Sequence, residues 1–316
     1  MIIRRGRVAL AAALATALAG ASLAAAPAAS AGGGKSGVFP SLRGNLVSYY
    51  DFEHPVPGDA GRERDLGRSG TTIDLVNGGA ALRVRDGSRG QVLQLGQVDP
   101  TTKGNDDRKA GVYSATGVPS LHAFNAARGA TVMGWFKMTG VNPSPNSNTA
   151  NPDDVYNAVG LAGLLSGTSQ GHDVRALLEV IDVSGTLRVV ALGRRVDSGS
   201  SQTFAANEHW RSVLPQNRWV HLAATFDYDT GAMALYKDGE PLPGFYTVKG
   251  DPWKLADEPG PHTTSATDPR GIKIGGSYPQ NTSEGNPCNC RVDGLMFLDR
   301  AISPWEARHQ YKMARH

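Results

Sequence analysis

Residues 219–242 read WVHLAATFDYDTGAMALYKDGEPL. Val220, Leu222 and Ala224 alternate with His221, Ala223 and Thr225. A period of two puts every second side chain on one face of a strand. The turn D-Y-D-T-G follows, then MALY, then the tight turn Asp238-Gly239. Two strands joined by a short Gly-ended turn and leading into an Asp-Gly turn make a β-meander.

The same signals recur on both sides of this stretch. LVSYYDF (46–52) is β-rich, VLQL (92–95) is a short apolar run, and TVMGWFKM (131–138) alternates. ALLEVIDV (176–183) and LRVVAL (187–192) flank Ser-Gly at hairpin-like spacing, and IKIGG (272–276) and VDGLMFLD (292–299) complete the set. One helix is predicted, from Pro304 to about Lys312. Ser303 is its N-cap, Pro304 takes the first helical position, and Glu306 stands three residues after the cap, which is a capping box. Many strands with Gly- and Asp-rich turns and one short C-terminal helix predict an all-β chain, a two-sheet antiparallel β-sandwich or jelly roll. GVNPSPNSNTANPDD (140–154) and KLADEPGPHTTSATDPRG (254–271) have no periodicity and read as long loops.

The 316 residues are 40% hydrophobic and 19% charged, with 39 Gly, 19 Pro and two Cys. Apolar content of this order excludes a disordered chain. The chain opens with basic MIIRRGR, continues with the small apolar run VALAAALATALAGASLAAA, and offers Ala29 and Ala31 as an A-x-A cleavage site. These are the three regions of a secretory signal, expected over residues 1–31, so the protein is predicted to be extracellular after cleavage near Ala31. The formal charge of +3 comes from Arg4, Arg5 and Arg7 in that segment, and beyond it 29 basic residues balance 29 acidic ones. A broad basic surface for nucleic acid or anionic membrane has no support. No later stretch approaches the roughly 18 apolar residues of a membrane span. Residues 32–41 read as a flexible Gly- and Ser-rich start and 42–316 as one domain, expected to be monomeric. Cys288 and Cys290 stand one residue apart and leave two readings open, a local disulfide or two free thiols. Two thiols alone do not make a structural zinc site.

Four pieces resemble one family in order along the chain. They are LVSYYDFE with the later D-L-G-R-S-G, the Trp strand TVMGWFKM, RWVHLAATFDYDTGAMALYKDGEPL with its W-x-H-x-A and L-Y-x-D-G elements, and VDGLMFLDRAISPWE. Together they are similar to the laminin-G-like, concanavalin A-like jelly rolls of secreted proteins. The family's D-x-S-G-type loop is departed from here, because Gly67 and Arg68 intervene before Ser69-Gly70. The resemblance implies a structural calcium ion where the acid ending the first strand, that loop and the closing strand meet. Those positions hold Glu53, Asp65 and Asp293. Calcium takes six to eight hard oxygens, so three carboxylates and turn carbonyls suit it. The alternative is that the three are solvated or paired with Arg62, Arg64 or Arg291. Asp227 and Asp229 are a weaker pair, because Asp in a hairpin turn usually serves backbone hydrogen bonding.

Trp135 and Trp219 lie in strand sequence and are expected to pack, and Trp305 is expected to pack against the sandwich from the helix. Trp210 and Trp253 lie in loop-like sequence beside His209, Arg211 and Asp251. An exposed indole offers an apolar face to a sugar while nearby polar groups take its hydroxyls. The alternative is that both fold back onto the domain. No strand carries a run of alternating acids such as E-x-D-x-x-E, and H-E-x-x-H does not occur. Asp51 and Glu53 share a strand face but fall in the segment assigned to calcium. His172-Asp173, Glu179, Arg188 and Tyr236 read as surface residues, and Asn281-Thr282-Ser283 fits a glycosylation acceptor. The expectation is a secreted, non-catalytic, lectin-like protein whose partner is a polysaccharide or glycosylated surface. Its rivals are a glycoside hydrolase or polysaccharide lyase on the same scaffold, and a structural or adhesion module.

Overall fold

The computed structural model describes residues 37–97, 107–142, 159–166, 174–194, 201–248, 267–276, 278 and 288–315. The export signal over 1–31, His172-Asp173, Asp251, Trp253 and Asn281-Thr282-Ser283 lie outside them.

In chain order the strands are β1 (Leu46–Tyr50), β2 (Pro55–Val56), β3 (Asp59–Glu63), β4 (Ile73–Val76), β5 (Arg83–Asp86) and β6 (Gly90–Gln94). There follow β7 (Lys109–Tyr113), β8 (Gly129–Met138), β9 (Val159–Leu165), β10 (Val174–Val183), β11 (Thr186–Arg194) and β12 (Ser201–Ala206). A one-turn helix α1 (Trp210–Val213) precedes β13 (Val220–Asp227), β14 (Met233–Lys237), β15 (Glu240–Leu242) and β16 (Gly244–Tyr246). The chain closes with β17 (Gly271–Ile274), β18 (Cys290–Leu298) and α2 (Pro304–Met313). One sheet runs β15-β14-β13-β8-β18-β6-β5 with β1 also on β18, and the other runs β16-β12-β11-β10-β9-β17-β7-β4-β3-β2. The pairings in both sheets are antiparallel, so the predicted sandwich with its C-terminal helix is the observed architecture.

The decisive meander forms as read. Leu222 pairs with Lys237 across β13 and β14, and Lys237 with Glu240 across β14 and β15. Asp238 and Gly239 take φ of 51° and 83°, the left-handed pair that a two-residue hairpin turn requires. Asp227 Oδ1 accepts from the Asp229 and Thr230 amides at 3.0 and 3.1 Å, the turn role expected of it. Ser184 and Gly185 close the β10–β11 hairpin with φ of 55° and 81°.

Alternation places Val220, Leu222, Ala224 and Phe226 of β13 in the core between the sheets. They meet there, among others, Phe136, Leu164, Leu178, Val189 and Phe297. Each of the Val, Leu and Phe side chains among them, fully buried, contributes roughly 1.5–3 kcal/mol by the hydrophobic effect. The opposite face of β13 is covered too. Ala223, Met133, Tyr236 and Met296 form a second cluster with Ala307 of α2 and with Val38 and Leu42. This corrects the expected flexible start from Gly37 onward. The Phe39 amide donates to Gln310 Oε1 at 2.7 Å, and Gln310 Nε2 donates to the Gly37 carbonyl at 2.9 Å. Gly and Ser content misled because two buried aliphatics and one buried glutamine are enough to pin the segment. Tyr236 is buried in this cluster rather than on the surface. Among the described residues no helix is long and apolar enough to cross a membrane.

Candidate functional site

Glu53 and Asp293 reach one recess of about 150 Å³ and Asp65 does not. The recess lies where the end of β1 meets β18 and the last turn of α2. Gly294, at φ 56°, marks a register shift in β18 that turns Asp293 out beside Arg89. Arg89 Nε donates to Asp293 Oδ2 at 2.6 Å, and both side chains are nine-tenths buried. Burial pushes the Asp293 pKa up to about 6, with Arg89 opposing it. Tyr49, in the same recess, is pushed well up by burial and then by the charges of Asp51 and Asp293. Glu53 Oε1 accepts from the Gln91 amide at 2.6 Å. Asp51 Oδ1 accepts from the Glu53 amide at 3.1 Å and lies 2.8 Å from His54 Nδ1.

Asp65 organises a turn. Its Oδ1 accepts from the Tyr49 and Gly67 amides at 2.7 and 2.6 Å, and its Oδ2 from the Thr71 amide at 3.1 Å and from the Ser69 hydroxyl. Four donors fill its lone pairs, and burial raises its pKa against them. The predicted calcium set therefore does not assemble. One member is saturated elsewhere, and Asp293 is held by a guanidinium that is neither Arg62, Arg64 nor Arg291. These residues do not fit a divalent ion shared by Glu53, Asp65 and Asp293. Another trio, Asp51, His54 and Glu63, has ligand atoms within 4.8 Å of one another. Its buried member is taken, since Arg83 donates to Glu63 Oε2 and the His54 amide to Oε1 at 2.9 Å.

Of the residues predicted for sugar binding, His209, Trp210 and Arg211 lie together at α1, and Trp253 is outside the described residues. His209 is the N-cap of α1, its Nδ1 accepting from the Arg211 amide at 3.3 Å. Trp210 is only 3% exposed and belongs to the core, which corrects its reading as an open platform. It still walls a recess of about 230 Å³ with Met138, Val141, Leu214, Arg211 and Gln216. Arg211 lies with its guanidinium carbon 5.5 Å from the Trp210 ring centroid, and neither it nor Gln216 has a side-chain hydrogen bond or ion pair among the described residues. The opposite wall is tied to the cysteine pair. Cys288 and Cys290 form a disulfide, and Asn289 between them accepts at its carbonyl from Asn142 Nδ2 and donates from its amide to Asn142 Oδ1, at 3.1 and 2.8 Å. Its own Nδ2 donates to the Val141 carbonyl at 2.7 Å. No signal in the sequence joined the Cys pair to residues 139–142.

The other tryptophans divide differently from expectation. Trp135 is buried beside His221 on the face under α2, outside the core between the sheets. Trp219 is half-buried and donates from Nε1 to Asp86 at 3.2 Å. Burial acts against the Asp86 charge, yet hydrogen bonds from Lys137, Ser88, Trp219 and Arg291 hold its pKa well below the usual carboxylate range. Trp305 packs from the helix edge-on against Phe39, with centroids 5.0 Å apart, and against His309, while staying 56% exposed. On the outer face of the larger sheet lie Leu165, Leu177, Leu192, Ile181, Val183, Val190 and Ala205. Glu179 sits among them, fully buried rather than on the surface, and half-buried Arg188 donates to the Ala206 carbonyl at 3.0 Å.

No protein-family model matches the chain, and a search of curated proteins finds no relative. Among solved structures, the binding domain of Paraclostridial Mosquitocidal Protein 1 superposes with a TM-score of 0.52 at 15% identity, covering 85% of this chain and 52% of that one. The Botulinum Neurotoxin Type G receptor binding domain gives 0.50 at 11% identity, with 85% and 51% covered. A Trypanosoma rangeli sialidase gives 0.46 at 13% identity, with 85% and 32% covered. This chain thus spans about half the length of the two binding domains. At these identities the likeness to the two binding domains shows a β-sandwich fold and nothing about activity.

Proposed function

We propose that this chain is a secreted, non-catalytic carbohydrate-binding protein on a laminin-G-like sandwich, and that its glycan recess is the one between α1 and the end of β8. One observation carries the reading. Arg211 and Gln216 offer unspent donors over an apolar wall of Trp210, Met138, Val141 and Leu214. A pyranose needs both, apolar contact for its C–H groups and charged or amide donors for its hydroxyls. The described residues lining the recess include no carboxylate. The export-signal pattern of residues 1–31 supports an extracellular setting, where such ligands occur.

A glycan array tests this with the wild type and R211A/Q216A. The expected result is selective binding to one polysaccharide class, weakened at least about tenfold in the double variant, which corresponds to about 1.4 kcal/mol. Silence across plant, fungal and bacterial glycans, or equal binding by both proteins, rejects the proposal.

The enzyme reading has its own observation. Asp293, pushed up to about 6, shares a recess with Asp51 and Glu53. A protonated acid beside a second carboxylate is what glycoside hydrolysis uses. Against it, Asp293 Oδ2 is held by Arg89, so the acid that would protonate a leaving group is bound by a cation. Binding is therefore the better supported of the two.

A further inference from the structure

We infer that the recess lined by Arg68, Ser69, Ser120, His122 and Asp299 is a second binding site, which takes a neutral polyhydroxy ligand such as a sugar residue by accepting its hydroxyl protons. The recess holds about 370 Å³, a volume in the range of ligand pockets, and Val47 and Ala123 supply its apolar wall. None of these residues lines the recess between α1 and β8, so the two are separate.

A hydroxyl has one proton to give, and this fixes the direction of every bond behind Ser120. Ser69 Oγ donates to Asp65 Oδ2. Its proton is then spent, so Thr71 Oγ1, 2.8 Å away, donates to Ser69. Thr71 is spent in turn, so Ser120 Oγ, 2.7 Å away, donates to Thr71. The chain runs inward to a carboxylate and leaves Ser120 only lone pairs for the recess. His122 is set in the same sense. Its Nδ1 lies 3.0 Å from the Pro119 carbonyl, which can only accept, so Nδ1 carries the proton and Nε2 of the neutral ring is an acceptor. Asp299 Oδ1 accepts from Asn45 Nδ2 at 2.8 Å and its Oδ2 accepts from Arg68, which leaves further lone pairs on both oxygens. Arg68 spends its other terminal nitrogen on the Gly44 carbonyl. The recess therefore presents acceptors from three side chains, and its one guanidinium is paired with its one carboxylate. An anion would face the lone pairs of Ser120, His122 and Asp299, and an ammonium would have to share Asp299 with Arg68. Uncharged hydroxyls bring the donors that the recess lacks.

Saturation-transfer NMR and isothermal titration test this with the R211A/Q216A protein, so that the recess beside α1 is removed from the reading and the fate of either site is seen apart from the other. The probes are neutral gluco-, manno-, galacto- and xylo-oligosaccharides, a galacturonate oligomer as the anion and a chitosan oligomer as the cation. At least one neutral oligosaccharide should bind, and S120A or H122F added to that protein should each weaken it about five- to tenfold, the effect of one lost hydrogen bond. Silence of every neutral oligosaccharide, binding of the charged oligomers alone, or equal binding after both substitutions overturns the inference. His122 is exposed, so H122F decides the matter even where S120A does not fold.

Discussion

His221 stands in the meander that decides the fold, on the face turned from the core. Its ring is buried against Trp135 and Tyr311, with centroids 5.2 and 6.1 Å away. Burial, with Arg89 adding repulsion, lowers its pKa from 6.5 to about 3. Below pH 6.5 the unfolded chain takes up a proton that the folded protein refuses until about pH 3. Stability should therefore fall as the pH drops through that window, by up to about 1.4 kcal/mol per unit from this residue. Urea unfolding of H221F at neutral and mildly acidic pH should show a smaller acid loss than the wild type, and an equal loss would contradict the account. The fate of Trp210 was legible in principle. Trp210, Val213 and Leu214 have the i, i+3, i+4 spacing of a buried helical face, but one turn is too short to stand out from loop sequence. Arg89 was not legible, because its partner Asp293 lies 204 residues away and its turn, D-G-S-R-G, reads as ordinary punctuation.

At the scale of elements, legibility followed apolar patterning. β8, β10, β11, β13 and β18 each bury one face or both, so their sequences carry the signal. β2, β3 and β5 read PV, DAGRE and RVRD, are largely polar and lie at or near sheet edges, and only the ladder identifies them as strands. Helix α2 was legible from its cap alone. Ser303 Oγ accepts from the Glu306 amide at 3.3 Å while Glu306 Oε2 accepts from the Ser303 amide at 2.9 Å. Glu306 also accepts from Ser41 Oγ at 2.8 Å, so the cap fastens the N-terminal segment as well as the helix. S303A should lower stability by about 1 kcal/mol, a fall of about 2–4 °C in the melting midpoint measured by circular dichroism. An unchanged midpoint would show that α2 is held by packing alone.

For the whole molecule, the terminal segments close the sandwich. β1 pairs with β18 from Leu46↔Leu298 to Tyr50↔Leu295, and α2 covers the sheet they share. The outer face of the other sheet is aliphatic over Leu165, Leu177, Leu192, Ile181, Val183 and Val190. The recess proposed for glycan lies between α1 and the end of β8. Isothermal titration of the strongest array glycan into the wild type and R211A/Q216A tests this most directly, because one trace separates binding from turnover. The account predicts a saturable heat that returns to baseline, with affinity at least about tenfold weaker in the variant. A sustained heat flow that scales with enzyme and substrate would mean the glycan is being cleaved, and an identical curve from the variant would place binding elsewhere.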